Sequence, residues 1–224
     1  MRRARPEICD PGNKTASKRR APSQQRSRER VKGILGAAAE PITEHGVASL
    51  TTRSIAAHAG IAVASLYQYF ADKDEVILAL VEQDTAEMDD QVARAIGSLE
   101  VLSIRSVVET TMRAFVEVYL RRPAFVVIWW RGRTNGAVLD YCRAHNRRIA
   151  ETLFTLATDH GLFDPDTDAT VVELAVEVGD RVFEFAFAEN LRGNQRIVDE
   201  GIDLVTAYLE RHATPAGISG VPQR

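Results

Sequence analysis

Residues 50–73, LTTRSIAAHAGIAVASLYQYFADK, admit few folds. The pattern predicts two short helices separated by one glycine. Thr51 and Thr52 open the first, where a hydroxyl oxygen can accept from a backbone N–H that has no helical partner. Ile55 and Ala56 give it an apolar face. Ala59-Gly60 ends it, because glycine tolerates the left-handed turn that closes a helix. Beyond the turn, Ile61, Leu66 and Phe70 recur at near-helical spacing and face a core, leaving Val63, Ala64, Ser65 and Gln68 outward. Two helices joined by a tight glycine turn make a helix-turn-helix, whose second helix enters the major groove of a duplex.

The same residues resemble a known family. LTTR, then IAxxAG, then SLYxYF with a Lys three residues on, is similar to the signature of TetR-type transcriptional regulators, over residues 31–76. Several positions agree at once, which makes the match more specific than a bare helix-turn-helix pattern. Two positions depart from it. Ala62 stands where the family usually has a Ser to cap the recognition helix. Pro41 falls near the end of the first helix, where a proline removes a hydrogen bond and kinks the chain.

Reading a sequence needs contacts to base edges, and holding register needs contacts to phosphate. The resemblance implies that Arg53 reaches a guanine, whose O6 and N7 its planar fork matches. It also implies phosphate contacts from Thr52, Tyr67, Tyr69 and Lys73, with Thr51 beside them at the helix start. Val63 and Ala64 are small and apolar, suited to thymine methyl groups, while Ser65 and Gln68 can hydrogen-bond a base or the backbone.

Charge is unevenly spread. The chain's 224 residues sum to −3, yet residues 1–30 hold ten Lys/Arg against three acidic residues, leaving 18 basic and 28 acidic beyond them. A basic arm on an acidic body suits an arm that lies along phosphates. Residues 31–76 carry three basic and five acidic residues, so the module itself is not basic. Residues 1–25, rich in Arg, Pro, Ser and Gln, read as a disordered basic arm. No run of 18 apolar residues exists, and the arginine-rich start lacks the apolar stretch of a secretory signal. Cys9 and Cys142 do not make a disulfide framework. The expected location is the cytoplasm.

The remainder predicts an all-α chain with two units. A helix-turn-helix DNA-binding unit spans 26–75, its first helix running about 27–45 with Val31, Ile34, Leu35, Ala38 and Ile42 on one face. Asp72 and Glu75 resemble a capping box opening a long helix that fades by Gly97. A helical ligand-binding and dimerisation unit spans 76–212. Its further helices lie at about 104–121, 125–130 after Pro123, 137–159, 168–190 and 194–212, with Asp166 or Asp168 as N-cap of the fourth. Residues 213–224 read as a flexible tail. The helix at 168–190 is apolar on most sides except a narrow line at Glu177, Asp180, Arg181 and Glu184, read as ion pairs at a surface or interface. A helix apolar nearly all round needs burial on nearly all sides. The resemblance implies a homodimer built from the last two helices of each chain.

Phe115, Tyr119, Phe125, Trp129, Tyr141, Phe183 and Phe187 are candidates to wall an apolar pocket between helices, and a packed core would use the same residues. Trp129 and Trp130, adjacent on a helix, cannot both face it. Arg131, Arg133 and Arg181 are the charges that could orient a ligand. Cys142 and His145 stand three apart, but two ligands do not make a zinc site. No phosphate loop, HExxH or GxSxG occurs, so no cofactor, metal or enzyme activity is expected. The expectation is a dimeric repressor released from a palindromic double-stranded DNA operator by a small, largely apolar effector. The rival is an all-helical small-molecule-binding protein or enzyme whose helix-turn-helix is only a packing unit. An activator with the same DNA contacts is equally compatible.

Overall fold

The computed structural model describes residues 20–131 and 135–223 and is all-α, with ten helices among them. α1 (Arg20–His45) starts earlier than its apolar periodicity predicts, so residues 20–25, expected in the arm, open a helix. The rest of the arm, residues 1–19, lies outside the described residues. Ile34, Leu35, Ala38 and Ile42 of α1 are buried. Pro41 sits inside α1, which nevertheless continues to His45. Gly46 (φ +78°) then turns the chain out, its N–H donating to Ile42 O at 2.9 Å.

A 3-10 turn (Val47–Ser49) leads to α2 (Thr52–His58) and α3 (Val63–Leu66). α4 (Lys73–Gly97) follows, 25 residues long, or about 37 Å at the usual helical rise. Its first half buries Val76, Ile77, Leu80 and Val81 in the core shared with α1. Its second half packs on α5 (Ile104–Arg121) and α7 (Gly136–Asp159). The unit boundary expected at 75–76 falls in the first turn of α4, so the two units share one unbroken helix.

Caps account for most boundaries. Ser103 and Ser106 cap α5 reciprocally, Asn135 caps α7, and Asn194 caps α9 (Gln195–Glu210). α6 (Pro123–Val126) has Pro at its first position, where the missing N–H costs nothing. A π-helical turn (Val127–Arg131) follows it. α8 (Thr170–Ala186) is shorter than 168–190; Ala169 is its N-cap, and Asp168 Oδ1 accepts from Thr170 N–H at 2.9 Å. α8 and α9 approach closely at Gly201, where a Cβ would run into Val182.

The flexible tail expected at 213–224 is a correction: residues 213–223 fold back on the body. Thr214 caps α10 (Pro215–Ser219), and its hydroxyl donates to Gly161 O at 2.7 Å. Gly217 sits against the Leu162 carbonyl with no room for a Cβ. β2 (Val221–Pro222) then pairs antiparallel with β1 (Val101–Leu102), a two-residue ladder too short to leave an alternating pattern in the sequence. A Thr-Pro step reads as N-cap and first helical residue, so α10 was within reach of the sequence.

Candidate DNA interface and ligand cavity

Backbone hydrogen bonds and two buried anchors set the helix-turn-helix. Ser54 N–H donates to Thr51 Oγ1 at 3.0 Å and Thr51 N–H to Ser54 Oγ at 3.1 Å, a reciprocal cap that fixes the start of α2. Gly60 (φ +64°) makes the turn. Ala62 is the N-cap of α3 and offers no side-chain hydrogen bond. Leu66 and Phe70 are buried, while Ala64 and Gln68 are exposed and Val63 and Ser65 half-buried. Arg53 is exposed.

Tyr67 is 54% exposed, too much for a ring whose job is to pack α3 on α1. Its hydroxyl lies 3.2 Å from Thr52 Oγ1, which ties the first turn of α2 to the end of α3 and puts two phosphate-type donors side by side. Tyr69 is half-buried against the core. Lys73 opens α4, where Asp72 Oδ1 already accepts from Asp74 N–H at 2.8 Å and Glu75 N–H at 3.0 Å. Glu75 reaches back to Ala71 N–H at 2.6 Å. Two amides of this helix start are therefore occupied by the chain's own carboxylate, so an anion there would be drawn mainly by the Lys73 ammonium.

An apolar cavity lies among α4, α5, α7, α8 and α9 in the second unit. Its volume is about 90 Å³. One water needs roughly 10–15 Å³, so this is no packing flaw. Met88 of α4, Thr111, Phe115 and Tyr119 of α5, Trp129, and Phe183 of α8 line it, as do Leu162 and Phe163 between α7 and α8. Gly179 of α8 is buried, yet a Cβ added there would meet nothing within 4 Å. It fronts open cavity.

The cavity has a polar region. Trp129 Nε1 donates to Asp180 Oδ1 at 2.8 Å, and Asn146 Nδ2 donates to Glu177 Oε1 at 3.3 Å. His145 is 1% exposed; its Nε2 lies 3.0 Å from Asp89 Oδ1, and its Nδ1 has no hydrogen-bond partner among the described residues. Thr111 Oγ1 is likewise buried without a partner. Burial, with Asp180 nearby, pushes the Tyr119 hydroxyl well above its ordinary pKa, so it stays protonated.

Residues 34–80 match the model of bacterial regulatory proteins of the tetR family, and residues 102–213 match the tetracyclin repressor-like C-terminal domain. The chain belongs to the TetR family. Among solved structures it is similar to a TetR-family transcriptional regulator from Streptomyces coelicolor, at 25% identity and TM-score 0.67, covering 82% of this chain and 99% of that one. A fatty acid degradation regulator from Bacillus halodurans shares the fold at 16% identity and TM-score 0.66, covering 82% and 97%. A ketosteroid transcriptional regulator of Mycobacterium tuberculosis does so at 21% and 0.56, covering 80% and 93%. This TetR-family chain is a DNA-binding transcriptional regulator and not an enzyme, and the rival reading of a helix-turn-helix that only packs falls away.

In this TetR-family fold, the predicted pocket aromatics divide. Phe115, Tyr119, Trp129 and Phe183 line the cavity; Phe125, Phe187 and Tyr141 do not. Phe125 and Phe187 are fully buried around Tyr119, at ring distances of 5.9 and 5.5 Å. Tyr141 pairs its hydroxyl with Thr85 Oγ1 at 2.8 Å and stacks on His145. Trp129 faces the cavity while Trp130 turns away to stack on Phe187.

The expected ion-pair line on α8 is also corrected. Arg181 and Glu184 pair on the outside, but Asp180 turns in to Trp129 and Glu177 accepts from Asn146. Arg181 therefore cannot orient a ligand in the cavity, Arg133 lies outside the described residues, and the Arg131 side chain does too. The sequence reading missed Thr111, Asn146 and Gly179, and weighed His145 only as a metal ligand with Cys142. A glycine inside an apolar helix was the one signal that pointed here. No described helix is long and apolar enough to cross a membrane.

Proposed function

We propose that this chain is a sequence-specific homodimeric repressor, released from a palindromic operator by a small, largely apolar effector. The observation that carries the reading is α4. The helix begins at Lys73 beside the recognition helix and reaches the cavity wall at Met88. An effector that favours a different seat for α4 would shift the recognition helices as one body, by population and not by breaking contacts singly.

The DNA-binding unit (26–75) would present Thr51, Thr52, Tyr67, Tyr69 and Lys73 to phosphates, with Arg53, Val63, Ala64, Ser65 and Gln68 at base edges. Dimerisation would use the outer faces of α8 and α9. Leu174 and Phe185 on α8 are exposed, Phe185 at 67%, as is Leu204 on α9. Large apolar side chains on two adjacent packed helices mark an association face. A two-fold dimer doubles the half-site that one recognition helix covers.

Selecting duplexes from a random pool, then following the retained site by gel shift and light scattering, tests the reading. A symmetric site bound by two chains is expected. Phe185→Glu with Leu204→Glu should give a folded monomer with at least about tenfold weaker binding. A monomer bound to an asymmetric site would remove the dimer.

A further inference from the structure

The cavity's chemistry narrows the effector. Most of its wall is aliphatic or aromatic, so the bulk of any occupant is apolar. Two buried polar atoms on lining residues, His145 Nδ1 and Thr111 Oγ1, have no hydrogen-bond partner among the described residues. Leaving such groups unpaired is costly, and a ligand that satisfies them recovers that cost on binding.

The histidine's role follows from its neighbour. Asp89 carboxylate only accepts, so Nε2 carries the proton that faces it at 3.0 Å. In the neutral ring Nδ1 is then an acceptor and asks for an O–H or N–H from the occupant. Thr111 hydroxyl can donate or accept. Among the described residues no Lys or Arg lines the cavity, while Asp180 does. A carboxylate would meet a lone pair at Nδ1 and a like charge at Asp180, with no cation among the described lining residues to hold it.

We infer that the effector is an uncharged, hydroxyl-bearing molecule on an apolar body, anchored through His145 Nδ1 and Thr111 Oγ1. This rests on the sensor reading above. Arg181, paired with Glu184 on the outside, offers the effector no cation.

The test uses the full chain and two matched probe sets: 1-decanol, methyl decyl ether and decanoate; and 2-naphthol, 2-methoxynaphthalene and 2-naphthoate. Binding is followed by tryptophan fluorescence, since Trp129 lines the cavity, and by calorimetry. In at least one set the alcohol should bind about tenfold or more tighter than its ether, and tighter than its carboxylate. His145→Phe should erase that advantage while leaving the ether's affinity in place. Thr111→Val, nearly isosteric, should reduce it and keeps the test alive if the histidine variant fails to fold.

Equal binding of alcohol and ether, preference for the carboxylate, an advantage that survives both substitutions, or no binding in either set would overturn the inference. Release of the selected operator is measured separately. Alcohol-selective binding that leaves DNA affinity untouched would sink the repressor reading and spare this one. Release by ether and alcohol alike would do the reverse.

Discussion

Side chains that look alike in sequence take different work from their surroundings. Tyr67 and Tyr69 are two residues apart, yet the first stands in solvent with its hydroxyl on Thr52 and the second leans on the core. Tyr67→Phe and Lys73→Ala should weaken binding to all duplexes alike, and Lys73→Ala should cut the salt slope by about one. Arg53→Ala should instead relax preference at one base pair by about 1–3 kcal/mol; equal loss on every sequence would make Arg53 a phosphate contact. Asp84 is a residue-scale case of another kind. It is 1% exposed, Oδ1 has no hydrogen bond, and Arg122 Nε stands 3.6 Å away. Burial pushes its pKa up to about 6 from 3.8, more than Arg122 pulls it down. The folded state thus holds this proton more tightly than the unfolded chain, so its contribution to stability falls as pH rises from about 4 to about 6, then levels. Glu87 runs the other way, held low by its hydrogen bond from Arg122, and loses stabilisation as pH falls. Asp84→Asn isolates the first effect: denaturant melts should show the variant more stable by about 1–2 kcal/mol at pH 8 and the gap closing near pH 4. A gap that does not change with pH would mean the aspartate titrates as in water.

At the scale of elements, α8 concentrates what the cavity needs. Gly179 leaves space that any other residue would fill, at the cost of helix propensity. Gly179→Ala should raise stability by about 0.5–1 kcal/mol. Gly179→Leu should occupy the cavity, keep operator binding and lose response to any effector, read by gel shift with and without 1-decanol. Retained response would place the effector elsewhere. The sequence showed the elements well where local rules act alone: apolar periodicity in α1, α4, α5 and α9, and the glycine turn at Gly60. It showed them poorly where partners are distant. Nothing near Asp180 in the chain reveals that Trp129 waits for it, so the residue read as one more charge in an outward line. The tail was misread for the same reason, since its ladder partners lie at Val101–Leu102, more than a hundred residues back. The cavity itself is a relation among five helices, and an aromatic count cannot separate Phe183, which lines it, from Phe187, which does not.

At the scale of the whole molecule, the question is where affinity for a polyanion comes from in a chain of net charge −3. The module over 31–76 carries more acid than base, and two amides at the start of α4 are taken by Asp72. Beyond Lys73, the sources on offer are dimerisation, the basic start of α1 and the arm before it. Residues 1–19 hold Arg2, Arg3, Arg5, Lys14, Lys18 and Arg19 against Glu7 and Asp10. Each phosphate neutralised contributes about 0.9 to the slope of log affinity against log salt. Deleting 1–19 removes six cations per chain while leaving α1, which opens at Arg20, its full length. The truncated dimer should bind its operator more weakly at low salt, with a slope shallower by several units, and should select the same sequence if, as proposed, α2 and α3 read the base edges. Titrations across a salt series, run beside repeat selection from the random pool, check both halves. An unchanged slope would mean that residues 1–19 stay off the phosphates, leaving the affinity to Arg26, Arg28 and Arg30 of α1, to Lys73 and to dimerisation. A changed preferred sequence would instead make the arm a reader, with Arg side chains reaching into the minor groove beside the site.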